Sequence, residues 1–175
     1  MHSVRTSVVV VFLLAAVAAV YAQTPAKSGA KKPGTPPPPP KAAAHTMMNA
    51  SDIKWGPAPP AFQPGAQFAV LEGDPAKPGP FVVRVKFPDG YKVMPHWHPT
   101  DEHVTVLSGS LNAAIGEKWD DASMKTFSAG AFATMPRKTA HYVQAKGETT
   151  VQVHATGPFE LVYVNPKDDP RKKTN

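Results

Sequence analysis

Residues 81–109 read FVVRVKFPDGYKVMPHWHPTDEHVTVLSG, and the class of fold is legible from this stretch. Its opening alternates strictly. Phe81, Val83, Val85 and Phe87 fall on one side and Val82, Arg84 and Lys86 on the other, the period of a half-buried β-strand. Pro88-Asp89-Gly90 then interrupts the run with residues suited to a tight turn. A second extended segment, Tyr91–His96, leads into His96-Trp97-His98. On a strand, residues two apart point the same way, so both imidazoles project together. Pro99-Thr100-Asp101 leaves room for a turn that returns the Glu102 carboxylate towards them. Glu102–Leu107 reads as a third strand, closed by Ser108-Gly109-Ser110.

The same punctuation continues on both sides. Further short runs of β type are Gln67–Leu71, Leu111–Ile115, Met124–Phe127, Ala131–Met135, His141–Ala145, Thr149–Thr156 and Phe159–Val164. Turn signals stand between them at Gly79-Pro80, Asp120-Asp121, Gly130, Pro136 and Gly147. No stretch after residue 50 has the 3.6-residue periodicity of a twelve-residue amphipathic helix. Many short strands at regular spacing specify an all-β sandwich or barrel. Phe81, Val83, Val85, Val104 and Val106 are the expected core.

The ends of the chain carry a different chemistry. Residues 1–22 have a short n-region with Arg5, an unbroken apolar run from Val8 to Val20 and small residues at Val20-Tyr21-Ala22, the pattern of a cleaved signal peptide. The run is shorter than the roughly 20 residues that a membrane-spanning helix needs. An uncleaved anchor is the alternative. Residues 23–50 form a linker rich in Pro, Ala and Lys that buries too little apolar surface to order itself. Within it, Pro36–Pro40 favours a stiff polyproline II spacer. The folded domain is expected over residues 51–170, and residues 171–175, opening with Arg171-Lys172-Lys173, read as a basic, solvated tail. The predicted localisation is secreted or periplasmic, with no stable membrane insertion after cleavage. There is no cysteine, so burial alone must hold the exported domain together.

Charge excludes one class of partner. The sequence pI is about 9.6, but five basic and no acidic residues precede residue 46. From there on fourteen Lys/Arg face thirteen Asp/Glu, a net charge of +1. A nucleic-acid-binding domain carries its positive charge on the folded surface, so nucleic acid is not expected as a partner.

His96, His98, Glu102 and His141, three imidazoles and one carboxylate, are the donor types that suit a borderline divalent metal. Gly90, His96, His98, Glu102 and Gly109 stand at spacings that resemble the first motif of the cupin superfamily, and Gly130, Pro136 and His141 resemble the second. Two positions depart from the second motif: Lys138 replaces the usual Gly and Ala145 the usual Asn. The resemblance covers about residues 65–165, and from Gly73 to Pro170 the chain looks like a group of small exported bacterial single-domain cupins. It implies a jelly-roll β-barrel of six to eight strands with a metal in its mouth, and often a homodimer. The metal implied is one divalent transition ion: Fe, Mn, Cu, Ni or Zn.

Other residues carry two readings each. Strand alternation turns His103 away from Glu102, towards the surface or behind the ligands. Gln152 and His154 share a face opposite Val151 and Val153. If that face points into the barrel, His154 becomes a catalytic base beside Glu102; otherwise it is surface. Arg84 and Lys86 bind an anionic substrate or merely solubilise the strand. Trp97 points outward, and Trp119 and Tyr142 stack on a carbohydrate or pack. With no cysteine, and no serine beside a His/Asp pair, hydrolysis through a covalent intermediate is not expected.

Three functions fit. The leading one is a mononuclear metal-dependent oxidoreductase acting on a small molecule or carbohydrate, with a polysaccharide oxidase as an extended-surface variant. The second is a metal-dependent sugar isomerase or lyase, using His154, Glu102 or Tyr142 as general base. The third is a non-catalytic periplasmic module that binds or senses a ligand.

Overall fold

The computed structural model describes residues 45–172. The expected signal peptide, nearly all of the expected linker and Lys173–Asn175 lie outside the described residues. The fold is all-β, with nine strands in one curled sheet: β1 (Gly56–Pro57), β2 (Gln67–Glu72), β3 (Gly79–Phe87), β4 (Lys92–Trp97), β5 (Glu102–Ile115), β6 (Lys125–Ser128), β7 (Phe132–Met135), β8 (His141–Gly157) and β9 (Val162–Tyr163). The helices among the described residues are single 3₁₀ turns such as Asp121–Ser123.

Two long antiparallel strands organise the sheet. β5 and β8 pair from Glu102↔Ala155 to Ile115↔His141. The late half of β8 also pairs with β3, from Phe87↔Thr149 to Gly79↔Gly157, while its first residues pair with β4, as in His96↔His141. On its other edge β5 takes β7 along Glu102–Thr105 and β6 along Ser110–Ala113. Each long strand therefore serves both walls, and the sheet curls into the jelly-roll barrel.

The sequence predicts breaks at Ser108-Gly109-Ser110 and near Gly147, dividing each long strand in two. The structure runs both strands through as one, with register shifts at Val106/Ser108 and Ser108/Ser110. The physical reason is a bulge rather than a turn: an extra residue bends a strand without ending its ladder. Gly109 has φ 73°, and a Cβ there would stand 2.3 Å from the carbonyl oxygen of Glu148. Only glycine fits both the conformation and the approach. Thr149, with no exposed surface, ties the corner by donating its hydroxyl to the Ser110 carbonyl at 2.8 Å and accepting the Ser110 N–H at 3.2 Å.

The strand that alternates in sequence alternates in space. Phe81, Val83, Val85 and Phe87 are buried, as are Val106, Val151 and Val153 across the barrel, and Val104 packs against them. Alternation on β8 settles where its polar residues point. Because Val151 and Val153 take the inner face, Gln152 and His154 must take the outer one. Segments flanking the barrel strands close over this core. The Tyr163 hydroxyl donates to the Ala61 carbonyl at 2.9 Å and that of Tyr91 to the Gln63 carbonyl at 2.6 Å. At the other end Arg171 grips Asp169 through Nε at 2.8 Å and donates from Nη2 to the Leu161 carbonyl at 3.0 Å. Arg171 is thus tied to the folded domain, where a solvated tail was expected, because the buried Asp169 carboxylate gives it a partner.

Candidate metal centre

His96 stands near the end of β4, His98 just beyond it, Glu102 opens β5 and His141 opens β8. All four are buried, between 3% and 8% exposed, among apolar neighbours. One ring nitrogen from each of His96, His98 and His141 lies within 4.8 Å of the other two. Glu102 adjoins two of the three: its Oε2 is 3.5 Å from His98 Nε2 and 3.4 Å from His141 Nε2.

The backbone decides which nitrogen faces the centre. Each Nδ1–H donates to a main-chain carbonyl: His96 to Met94 at 2.8 Å, His98 to Glu160 at 2.7 Å and His141 to Thr139 at 3.0 Å. A carbonyl only accepts, so each Nδ1 carries a proton, and in the neutral ring the lone pair is on Nε2. Packing holds the rings in place, since Phe159 stacks on His98 with centroids 4.2 Å apart and planes 18° from parallel. Burial pushes His96 well below the ordinary imidazole value, helped by its neighbours His141 and His98. Burial likewise lowers His98, against the pull of Glu102 and of the Glu160 carbonyl. For Glu102, burial opposes the charge, but contact with the His141 and His98 rings, when these are protonated, outweighs it and holds the carboxyl below its usual range.

With the rings neutral, the Nε2 atoms of His98 and His141 and the Glu102 carboxylate are acceptors facing one another. His98 Nε2 is fully buried and has no hydrogen-bond partner. Acceptors meeting at this range repel one another, and buried unpaired polar atoms cost on the order of 1–3 kcal/mol each. A divalent cation resolves both costs, and imidazole with carboxylate is a donor set it accepts. These residues could hold one metal ion.

The centre faces a cavity of about 170 Å³ inside the barrel. Apart from His96, His98, Glu102 and His141, every side chain lining it is apolar, Phe62, Phe81, Val104, Phe127 and Phe159 among them.

Several expected roles move elsewhere. His154 is exposed on the outer face of β8, paired across the ladder with His103 rather than with the centre. The structure does not bring it to the cavity, so a catalytic role beside Glu102 loses its geometry. Both histidines line a shallow surface groove with Asp101 and Arg137. Tyr142, 1% exposed, packs against Trp119 at 5.1 Å and donates its hydroxyl to the Asp120 carbonyl, so neither aromatic offers a stacking face or a base. Arg84 hydrogen-bonds Gln152 at 2.9 Å, and Lys86 lies 4.7 Å over the Trp55 ring, both outside the barrel. Trp97 is half-buried.

Sequence reasoning also missed contributors. The carbonyls of Met94, Thr139 and Glu160 orient the three rings, yet a carbonyl belongs to every residue type and leaves no sequence signal. Phe159 lay within an expected strand, but nothing in the pattern tied it to His98.

The protein family profile described as "Domain of unknown function (DUF4437)" matches residues 17–162. No protein of curated function matches the chain. Among solved structures, the polyketide cyclase RemF from Streptomyces resistomycificus superposes with a TM-score of 0.59 at 17% identity, over 73% of this chain and 90% of its own. KdgF from Halomonas sp. gives 0.50 at 18% identity, over 66% and 96%. An RmlC-like cupin from Shewanella frigidimarina gives 0.50 at 13%, over 66% and 94%. Such identities speak for the fold alone, and on fold, motif spacing and family profile together the chain belongs to the DUF4437 family, built on the cupin β-barrel.

Proposed function

We propose that the protein is a mononuclear metal-dependent oxidoreductase acting on a small molecule held inside the barrel. One observation carries the reading: three buried imidazoles turn ring nitrogens to one point, beside a buried carboxylate and an apolar cavity. When bound there, a redox-capable divalent ion supplies Lewis acidity and electron exchange with dioxygen. His96, His98 and His141 would hold it, with Glu102 as a fourth donor. Once released from that duty, Glu102 is the one group in the cavity able to take a proton from a substrate held against the triad. The surrounding Phe and Val side chains exclude water and orient the apolar part of the substrate.

Depth separates this reading from a polymer oxidase. Attack on a polysaccharide calls for an exposed aromatic platform, whereas Trp119 is spent on Tyr142 and on Lys92, whose Nζ lies 4.5 Å above its ring. The isomerase or lyase reading is weaker too, because His154 and Tyr142 stand away from the cavity and Glu102 would be left as the sole base.

The test is metal analysis of protein purified without added metal, followed by oxygen consumption over a panel of small organic substrates. The expected result is one transition ion per chain and metal-dependent oxygen uptake, both lost in a His96→Ala, His98→Ala double variant. Inertness of the iron, manganese, copper and nickel forms towards oxygen and every substrate would remove the oxidoreductase assignment.

A further inference from the structure

Building on that metal-centre reading, we infer that the cavity selects a substrate of one apolar ring, or an apolar body of that size, bearing a single oxygen-donor head. Phenols and cyclic enols are the class, as opposed to sugars, dicarboxylates or phosphates.

Three observations converge. The first is composition. Beyond the four candidate ligands, the lining consists only of Phe, Val, Leu, Met, Ala and Pro, without one hydroxyl, amide, guanidinium or ammonium group. A sugar entering this space would strip several hydroxyls of water and return no hydrogen bond to most of them. Each such unpaired group costs on the order of 1–3 kcal/mol, so a polyol is rejected however well its outline fits.

The second is charge. A divalent ion beside the Glu102 anion leaves a net +1 at the centre, which one ionised oxygen neutralises. A second negative charge on the ligand has no counter-ion, because the nearby cations face outward: Arg84 is engaged by Gln152 and Lys86 by Trp55. An isolated buried charge is far more costly than an unpaired hydroxyl. Dianions such as oxalate or a sugar phosphate are therefore excluded.

The third is size and shape. An apolar cavity of about 150 Å³ accepts benzene, and this one measures about 170 Å³. One ring with a short substituent fills it. The walls supply Phe62, Phe81, Phe127 and Phe159, whose faces and edges suit an aromatic guest. The polar groups all lie at the metal centre, so a guest with one polar end has one orientation, head to the centre and ring against the phenylalanines.

The experiment uses the full chain loaded with Co(II), whose visible spectrum reports on its own coordination. Loading at one ion per chain, abolished in the His96→Ala, His98→Ala variant, checks the underlying metal reading; failure to load overturns that reading and, with it, this inference. With loading established, phenol, catechol and 4-ethylphenol are titrated against glucose, oxalate and glycerol phosphate. The phenols should perturb the cobalt spectrum at concentrations at least tenfold lower than the polar ligands. Ala133→Phe and Val104→Phe, which place bulk in the cavity, should weaken phenol binding at least tenfold while keeping the cobalt. If glucose, oxalate or glycerol phosphate binds more tightly than the phenols, the inference is wrong. A cobalt-loaded filling variant with undiminished phenol affinity would also overturn it, and should neither variant load, the ranking of ligands by the native chain decides alone.

Discussion

At position 138 a lysine occupies the left-handed backbone region, φ 60°, where the second cupin motif usually has glycine. The departure leaves the loop's hydrogen bonding in place. The Lys138 N–H donates to the His98 carbonyl at 2.8 Å, tying the approach to β8 to the segment that carries a candidate ligand. A side chain in that region costs roughly 1–2 kcal/mol, and glycine gives back part of this by loosening the unfolded chain, roughly 0.4–1 kcal/mol. Lys138→Gly should therefore raise stability by roughly 0.5–1 kcal/mol in urea denaturation, with the metal stoichiometry unchanged. A loss of stability would mean that the lysine side chain contributes a contact outweighing its strain. Single residues also show how far the sequence was legible. His96, His98 and Glu102 were readable because strand period and spacing bring them together, and His141 because it opens a strand after Pro136. His154 was ambiguous because period two marks which residues share a face, not which face is inside. The choice was made by Val151 and Val153, whose burial outweighs any preference of Gln152 and His154.

Among elements, the corners of β5 and β8 are where sequence and structure part most. Gly109 and Gly147 both have φ 73°, and in sequence both look like turn glycines. Spatially they differ. A Cβ on Gly109 would meet the Glu148 carbonyl at 2.3 Å and Thr149 Cα at 2.8 Å, while a Cβ on Gly147 would have nothing within 4 Å. Comparing the two alanine variants separates conformational strain from close approach. Gly147→Ala should cost about 1 kcal/mol, the left-handed penalty alone. Gly109→Ala should cost more than about 2 kcal/mol, because main-chain atoms must also move. Equal costs in chemical denaturation would show that the bulge yields easily and does not hold the two halves of β5 in register. No single-sequence pattern distinguishes these glycines, since the neighbour that crowds Gly109 lies thirty-nine positions away along the chain and arrives only when β8 folds beside β5. Strands bounded by true turns, such as β3 between Gly79 and Pro88, carried no such ambiguity.

On the scale of the molecule, one apolar interior serves twice: Phe81, Val83, Val85, Val151 and Val153 form the core and also line the cavity whose polar end gathers three imidazoles and a carboxylate. The core follows from alternation and draws on no metal contact, whereas the polar end is costly until a cation joins its acceptors. Metal should thus add stability without being required for the fold, unlike small zinc domains that unfold on chelation. Ligation by the native state alone stabilises by about 2.7 kcal/mol at a free-ion concentration one hundred times Kd. Prolonged dialysis against chelator should accordingly lower the melting temperature while the far-ultraviolet β signal at 25 °C persists, and adding back one equivalent of metal should restore it. The His96→Ala, His98→Ala variant should show the β signal and no response to metal. Collapse of that signal on chelation would make the ion a structural element, and the centre would then have to be understood as holding the two walls together rather than as serving the cavity between them.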